Sequence, residues 1–126
     1  MPDERWRQRL GRPDSVSLVA TSGGRWIGLV GGFREPPTGI HLISMWVEPA
    51  SRGRGIAAML VAAVLAWGRE VGAEEVRLWV ADGNDAANAL YAGCGFSPTG
   101  TVAPLPSNPA ISETEMRRPL SPAGLS

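Results

Sequence analysis

The chain has 126 residues, 44% of them hydrophobic and 19% charged, which suits one soluble globular domain with a core of its own. Twelve basic residues, all arginine, cancel twelve acids, so no net field steers the chain to nucleic acid or to an anionic membrane surface. One cysteine and one histidine exclude an internal disulfide, a cysteine-ligated zinc site and a His-rich metal centre, so no metal is expected.

No run approaches about 18 consecutive apolar residues, the length that begins to span a bilayer. The first residues are charged and lack the apolar core of a signal peptide, so the expected location is the cytoplasm. Residues 4–10 read as the end of a short helix with Trp6 and Leu10 on one side, broken by Gly11, Pro13 and Asp14. Residues 15–21, 26–34 and 40–47 alternate as three strands of an antiparallel meander. Ser22-Gly23-Gly24 makes one turn, and Pro36, Pro37 and Gly39 make the next. Glycines inside the second strand point to bulges or to close approach by another element.

The period then changes. From about Gly55 to Val71, Ile56, Met59, Leu60, Ala63, Val64, Trp67 and Val71 fall on one helical face, and Gly72 suits the C-terminal cap. Residues 76–80 form a strand, 86–92 a second helix ended by Gly93 and Gly95, and 97–102 a further strand. Pro104, Pro106 and Pro109 mark a loop before a last strand over 112–118, and residues 121–126 read as a tail. A meander followed by strand–helix–strand–helix–strand is a mixed α/β fold. The connection from Val47 to Val76 is long enough for a parallel crossover, which puts the turn before the first long helix at the carboxyl end of a strand, where open α/β sheets bind ligands.

That turn is Arg52-Gly53-Arg54-Gly55-Ile56-Ala57. Its glycines allow positive φ and close approach, and the first N–H groups of a helix have no partner within it. With two arginines alongside, the turn is an anion cradle suited to a pyrophosphate. The simpler alternative is a sharp turn with solvated arginines. A nucleotide-triphosphatase loop is excluded by the missing Lys-[Ser/Thr] pair. Gly53, Gly55 and Ala58 fit a dinucleotide fingerprint with Asp82 as the ribose acid. Against that reading, the glycines lie five residues beyond the strand and too little chain follows Asp82 for a second half.

The turn is followed by Leu78-x-Val80 and then by Asn84-x-x-Ala87-x-x-Leu90-Tyr91-x-x-x-Gly95-Phe96. In order and separation these segments resemble the two core motifs of the GNAT (GCN5-related) N-acetyltransferase superfamily, and the ending E-T-E-M-R-R-P-L is similar to its last strand. The resemblance covers about residues 15–120. It implies a central mixed sheet, an antiparallel meander followed by βαβαβ, with a splayed parallel strand pair. Residues 1–14 would then be a helix remnant, 15–120 the transferase domain and 121–126 a tail. It also implies transfer of acetyl from acetyl-CoA to an amine, on a small molecule or a peptide, by direct attack. A degenerate acyl-CoA-binding domain without transfer is the alternative.

The resemblance assigns the pyrophosphate to the backbone of Arg52, Gly53, Arg54, Gly55, Ile56 and Ala57. It assigns the pantetheine arm to the main chain at Met45 and Val47, where an N–H could also stabilise an oxyanion. Asn84 would contact the coenzyme or simply cap the second helix, and Asn88 is a weaker candidate. Tyr91, the one tyrosine, would protonate the departing thiolate as general acid, its ordinary alternative being a core residue.

A general base is not identified; Glu48, Glu35, Glu113 and Glu115 are the carboxylates to place, each with a surface role as its plain alternative. His41 lies about 13 Å of extended chain from Met45, too far to serve. Cys94 is expected to be a small apolar filler, since direct transfer needs no nucleophilic thiol. The family's usual opening strand and two helices are reduced here to the 4–10 fragment. A sheet edge is therefore expected to lie bare, unless a partner subunit, as in a homodimer, covers it.

Overall fold

The structure, a computed structural model, describes the backbone of residues 4–8 and all of residues 14–120. Seven strands form one sheet: β1 (Glu4–Gln8), β2 (Ser15–Ser22), β3 (Arg25–Glu35), β4 (Gly39–Val47), β5 (Glu75–Ala81), β6 (Ser97–Leu105) and β7 (Asn108–Pro119). Two helices, α1 (Ile56–Glu70) and α2 (Asp85–Gly93), connect β4 to β5 and β5 to β6. The strand order is β1-β2-β3-β4-β5-β7-β6, antiparallel throughout except for β4 beside β5. The mixed α/β fold expected from the sequence is the one observed. No helix among the described residues is long and apolar enough to cross a membrane.

The sequence reading fails at both ends of the sheet. The helix expected over residues 4–10 is instead strand β1, paired antiparallel with β2 from Glu4↔Thr21 to Gln8↔Ser17. A segment this short gains little from a helix, while the outer N–H and C=O groups of β2 need partners, so a nonlocal ladder wins. The edge of β2 expected to lie bare is therefore covered. The proline loop expected after residue 102 is a hairpin. β6 runs to Leu105 and β7 starts at Asn108, with Pro104 opposite Ser112. β6 is the outermost strand, where a proline without an N–H can face away from the ladder. The 121–126 tail lies outside the described residues.

α1 packs on one face of the sheet through Ile56, Leu60, Val61, Val64, Leu65 and Trp67, all buried. The glycines of β3 make room for it. A Cβ on Gly28 would sit 3.0 Å from Leu60 Cδ1 and 3.1 Å from Ile56 Cγ2. Tyr91 and Phe96, at and beyond the end of α2, join the same core with Leu78, Val80 and Met116. This packing fixes the start of α1 and the flank of α2 against the carboxyl ends of β4 and β5.

Candidate functional site

The site is built where the sheet comes apart. β4 and β5 are in parallel register at Gly39↔Glu75, Ile40↔Val76 and His41↔Arg77 only. Beyond that rung β5 stays paired with β7 as far as Ala81, while β4 stays with β3, so a V opens between them. β4 also carries an extra residue. Gly31 faces Ile43 and Leu29 faces Trp46, so two steps on β3 match three on β4. Ser44 absorbs the irregularity at φ +60°, an uncommon conformation for a residue with a Cβ. The bulge rotates the end of β4, so that Met45 and Val47 pack against the core while Trp46 is 42% exposed.

Two cavities meet here. The larger, about 460 Å³, is bounded by the end of β4, the Ser51–Gly53 stretch, the first turn of α1 and Ala86, Ala87 and Leu90 of α2. The smaller, about 250 Å³, fills the V between Leu42–Met45 and Leu78–Ala81, with Asn84 and Tyr91 on its α2 wall. Met45, Ala87 and Leu90 line both, so the cavities share a wall.

In the larger cavity the Gly-rich turn has the form its sequence requires. Gly53 lies at φ +81° and Gly55, the N-cap of α1, at φ +80°. No atom comes within 4 Å of a Cβ built on either. α1 starts with no side-chain cap, and its first internal bond runs from the Met59 N–H to the Gly55 carbonyl. The partial positive charge of the helix start therefore faces an uncrowded turn. Arg52 differs from expectation: its Nε donates to the Val47 carbonyl at 3.2 Å, tying the turn back to β4. Arg54 lies close enough to Glu48 to lower that carboxyl's pKa.

The remaining candidates separate cleanly. Asn84 caps α2, its Oδ1 accepting from the Ala87 N–H at 3.1 Å, and it also lines the V. Asn88 donates to the Asn84 carbonyl at 3.0 Å and lines neither cavity. Tyr91 is 6% exposed and packs edge-on against Phe96, with ring centroids 5.8 Å apart. Burial, with a smaller contribution from Cys94, pushes its phenol up to about 12, so it holds its proton at any physiological pH.

None of the carboxylates considered as bases stands in either cavity. Glu48 takes Arg25 through both oxygens, at 2.8 and 2.9 Å, and accepts from Ser51 Oγ at 3.0 Å. The Arg25 bonds foremost hold its pKa down to about 2. Glu115 is buried, accepting from Thr99 Oγ1 at 2.8 Å and facing Arg77 at 3.5 Å. Glu113 sits opposite Ala81 on β7. Glu35 lies at the far end of the sheet, 3.7 Å from His41, whose ring stacks on Phe33. Cys94 caps α2 outside both cavities, its thiol pushed up by burial against a smaller opposing effect of Arg118. The bulge at Ser44 had no signal in the sequence, because the ladder with β3 sets it, and the Arg52 tether had none, because it depends on how the turn folds back on β4.

Known proteins share this fold. The acetyltransferase (GNAT) family pattern matches residues 1–96. The chain belongs to the GNAT family. It is 39% identical over 87 residues to N-acetyltransferase family 8 member 2 of Rattus norvegicus, covering 65% of this chain and 38% of the relative. It is 34% identical over 102 residues to the N-alpha-acetyltransferase RimI of Mycobacterium tuberculosis (strain ATCC 25618 / H37Rv), covering 79% of this chain and 63% of the relative. The chain thus spans about two fifths of the rat relative's length. An aminoglycoside 6'-N-acetyltransferase solved with coenzyme A superposes with a TM-score of 0.75 at 17% identity, over 87% of this chain and 75% of its own, a likeness of fold.

Proposed function

We propose that this chain transfers the acetyl group of acetyl-CoA to an amine by direct attack, with residues 15–120 as the transferase domain and the cytoplasm as its location. The observation that carries this reading is the meeting of two cavities at Met45, Ala87 and Leu90, one opening on an uncapped glycine turn and the other on Tyr91. The residues fit the coenzyme. The turn at 52–57 offers an uncrowded backbone and a helix start to a pyrophosphate. Beyond His41, β4 has no ladder partner on the β5 side, which leaves main-chain groups near Met45 and Val47, apart from the carbonyl that Arg52 holds, for an extended pantetheine arm. Asn84 can add a contact through the part of its amide not used in capping.

When bound, acetyl-CoA supplies an activated acyl group. The protein's part is to hold it, orient the amine and return a proton to sulfur. Tyr91 suits that last task because its phenol stays protonated and no described residue hydrogen-bonds its hydroxyl.

Acetyl-CoA at about a hundred times its Kd should stabilise the native chain by about 2.7 kcal/mol, visible as a rise in Tm of several degrees. No rise would refute the proposal. Release of free thiol in the presence of an amine distinguishes a transferase from a domain that only binds acyl-CoA.

A further inference from the structure

The sheet carries its described helices on one face only. A Cβ on Gly28 would meet Leu60 and Ile56 of α1, and one on Gly32 would meet Trp67 and Val64, so these positions of β3 face the helix. Leu29, Gly31 and Phe33 therefore point the other way. Their ladder partners on β4, Trp46, Ile43 and His41, share that face. An extra residue at Ile27 brings Trp26, opposite Thr21, to it as well. Tyr91 of α2 joins the core on the α1 side, so neither helix lies over this second face.

The second face is apolar and uneven. Trp26 is 56% exposed, Trp46 42% and Ile43 41%, three of the five large apolar side chains exposed among the described residues. Where Gly31 has no side chain the sheet dips, and a cavity of about 210 Å³ opens between Leu29, Phe33, Ile43, Ser15 and Ser17. Trp46, opposite Leu29, stands beside that dip. A projection next to a recess is what a surface needs to pack against itself across a two-fold axis.

The charges allow the same pairing. A two-fold axis brings like surfaces together, so a spare charge near it would meet its own copy. Arg77, Glu75, Arg117 and Glu115, on this face of β5 and β7, pair with one another, and Arg25 pairs with Glu48. At their exposures Trp26 and Trp46 alone present on the order of 200 Å². With Ile43, Leu29, Phe33 and the paired charges around them, the patch approaches the roughly 800 Å² per partner of a stable interface. The chain after β7 leaves on the helix side, where Leu120 lies against Gly68 of α1.

We propose that this face is an interface with a second copy of the chain, packed about a two-fold axis so that Trp46 of each copy enters the dip at Gly31 of the other. A tryptophan desolvated in a partner's recess is the usual centre of a strong contact. Ile43 and Ser44 line both the dip and the V, so the second copy backs the strand that forms one wall of the V. The pairing stands or falls independently of the transferase reading.

The test is sedimentation velocity of the full chain from about 1 to about 100 µM, where pairing shows as a species of twice the chain mass that dissociates on dilution. Trp46→Glu removes the projection and Ser17→Arg fills the recess. Each should weaken the dimer by about thirtyfold or more, because every substitution counts on both copies. Val102→Glu, as exposed as Trp26 but on the edge strand β6, should leave it unchanged. Both test sites face solvent in a single copy, so each variant should keep a cooperative thermal transition. Without any variant, dilution of the native chain should raise acrylamide quenching of its tryptophan fluorescence, as Trp26 and Trp46 return to water.

A monomer at the highest concentration overturns the inference, and so does quenching that ignores dilution. A dimer that survives both substitutions, or is lost with Val102→Glu, places the contact on another surface and overturns it too. A monomer that pairs only after residues 121–126 are removed gives the patch to the chain's own tail, which overturns it equally.

Discussion

The two cavities are made of different material. The larger joins a backbone-built stretch, with two glycines at positive φ and an uncapped helix start, to apolar residues such as Met45, Ile56 and Leu90. The smaller lies between two splayed strands and draws on residues of three elements, among them Ile43 on β4, Trp79 on β5 and Tyr91 on α2. A backbone-built surface needs particular residues at fixed local spacing, so it leaves a motif. A surface built from side chains needs only that remote residues converge, and many residue sets can do that. The proposed coenzyme site should therefore tolerate side-chain changes poorly at glycine and well elsewhere, and the V the reverse.

The sharpest break between the two is Tyr91→Phe. If the hydroxyl protonates the leaving thiolate, kcat should fall about a hundredfold, the lower range for loss of a general acid. The acetyl-CoA Kd should change by less than about threefold, because the ring stays in place against Phe96. Thiol release slowed about a hundredfold with an unchanged Tm rise is the expected pair of results. Equal rates for both proteins would return Tyr91 to a purely structural role in the core.

Gly28→Val should have the next largest effect, on the scaffold under the coenzyme cleft. The added atoms meet Leu60 at 3.0 Å and Ile56 at 3.1 Å, and Ile56 begins α1. Overpacking of this kind costs about 1–3 kcal/mol. Urea unfolding should show a lower midpoint with an unchanged slope. Because α1 is pushed from below, acetyl-CoA binding should weaken as well.

These expectations also mark how far the sequence could be read. The meander, α1, β5 and α2 were legible because each has a period of its own and a Gly, Pro or Asn boundary. The glycine turn before α1 was legible for the same local reason. β1 was not, since Glu4–Gln8 is short enough that its partner, β2, decides its conformation. The Ser44 bulge was not, because φ +60° at a serine is imposed by the ladder with β3 rather than preferred by the residue. The base candidates could be placed only by the strand or loop that carries them. That placement could not reveal that Glu48 is spoken for by Arg25, 23 residues away.

A matched pair of glycine variants isolates the cradle itself. Gly55 and Gly72 both lie at φ +80°, at opposite ends of α1, and a Cβ on either meets nothing within 4 Å. Alanine at either position should cost about 1–2 kcal/mol from the left-handed backbone alone. Only Gly55→Ala should also raise the acetyl-CoA Kd, by about tenfold or more, since its methyl enters the proposed phosphate surface. Equal loss of the coenzyme effect in both would attribute it to stability and not to the turn.

The smallest effect is expected at the joint between the two regions, where β4 gives way to the turn. Glu48 holds Arg25 and Ser51 there, and its N–H donates to the Ile27 carbonyl at 2.8 Å. Its folded pKa of about 2 lies below the ordinary 4.5, so its contribution to stability is complete above about pH 5 and is lost as pH falls from 4.5 towards 2. The native chain should exceed Glu48→Gln in Tm at pH 7 by a small margin, as an exposed ion pair allows. That margin should close near pH 2. Glu75, held low chiefly by its bond from Arg117, is the same in both proteins, so it cancels in the difference. A constant margin across pH would mean that the amide disturbs packing and that the ion pair contributes nothing. A closing margin with unchanged acetyl-CoA affinity at pH 7 would show that the cradle keeps its shape through its own backbone, without the carboxylate beside it.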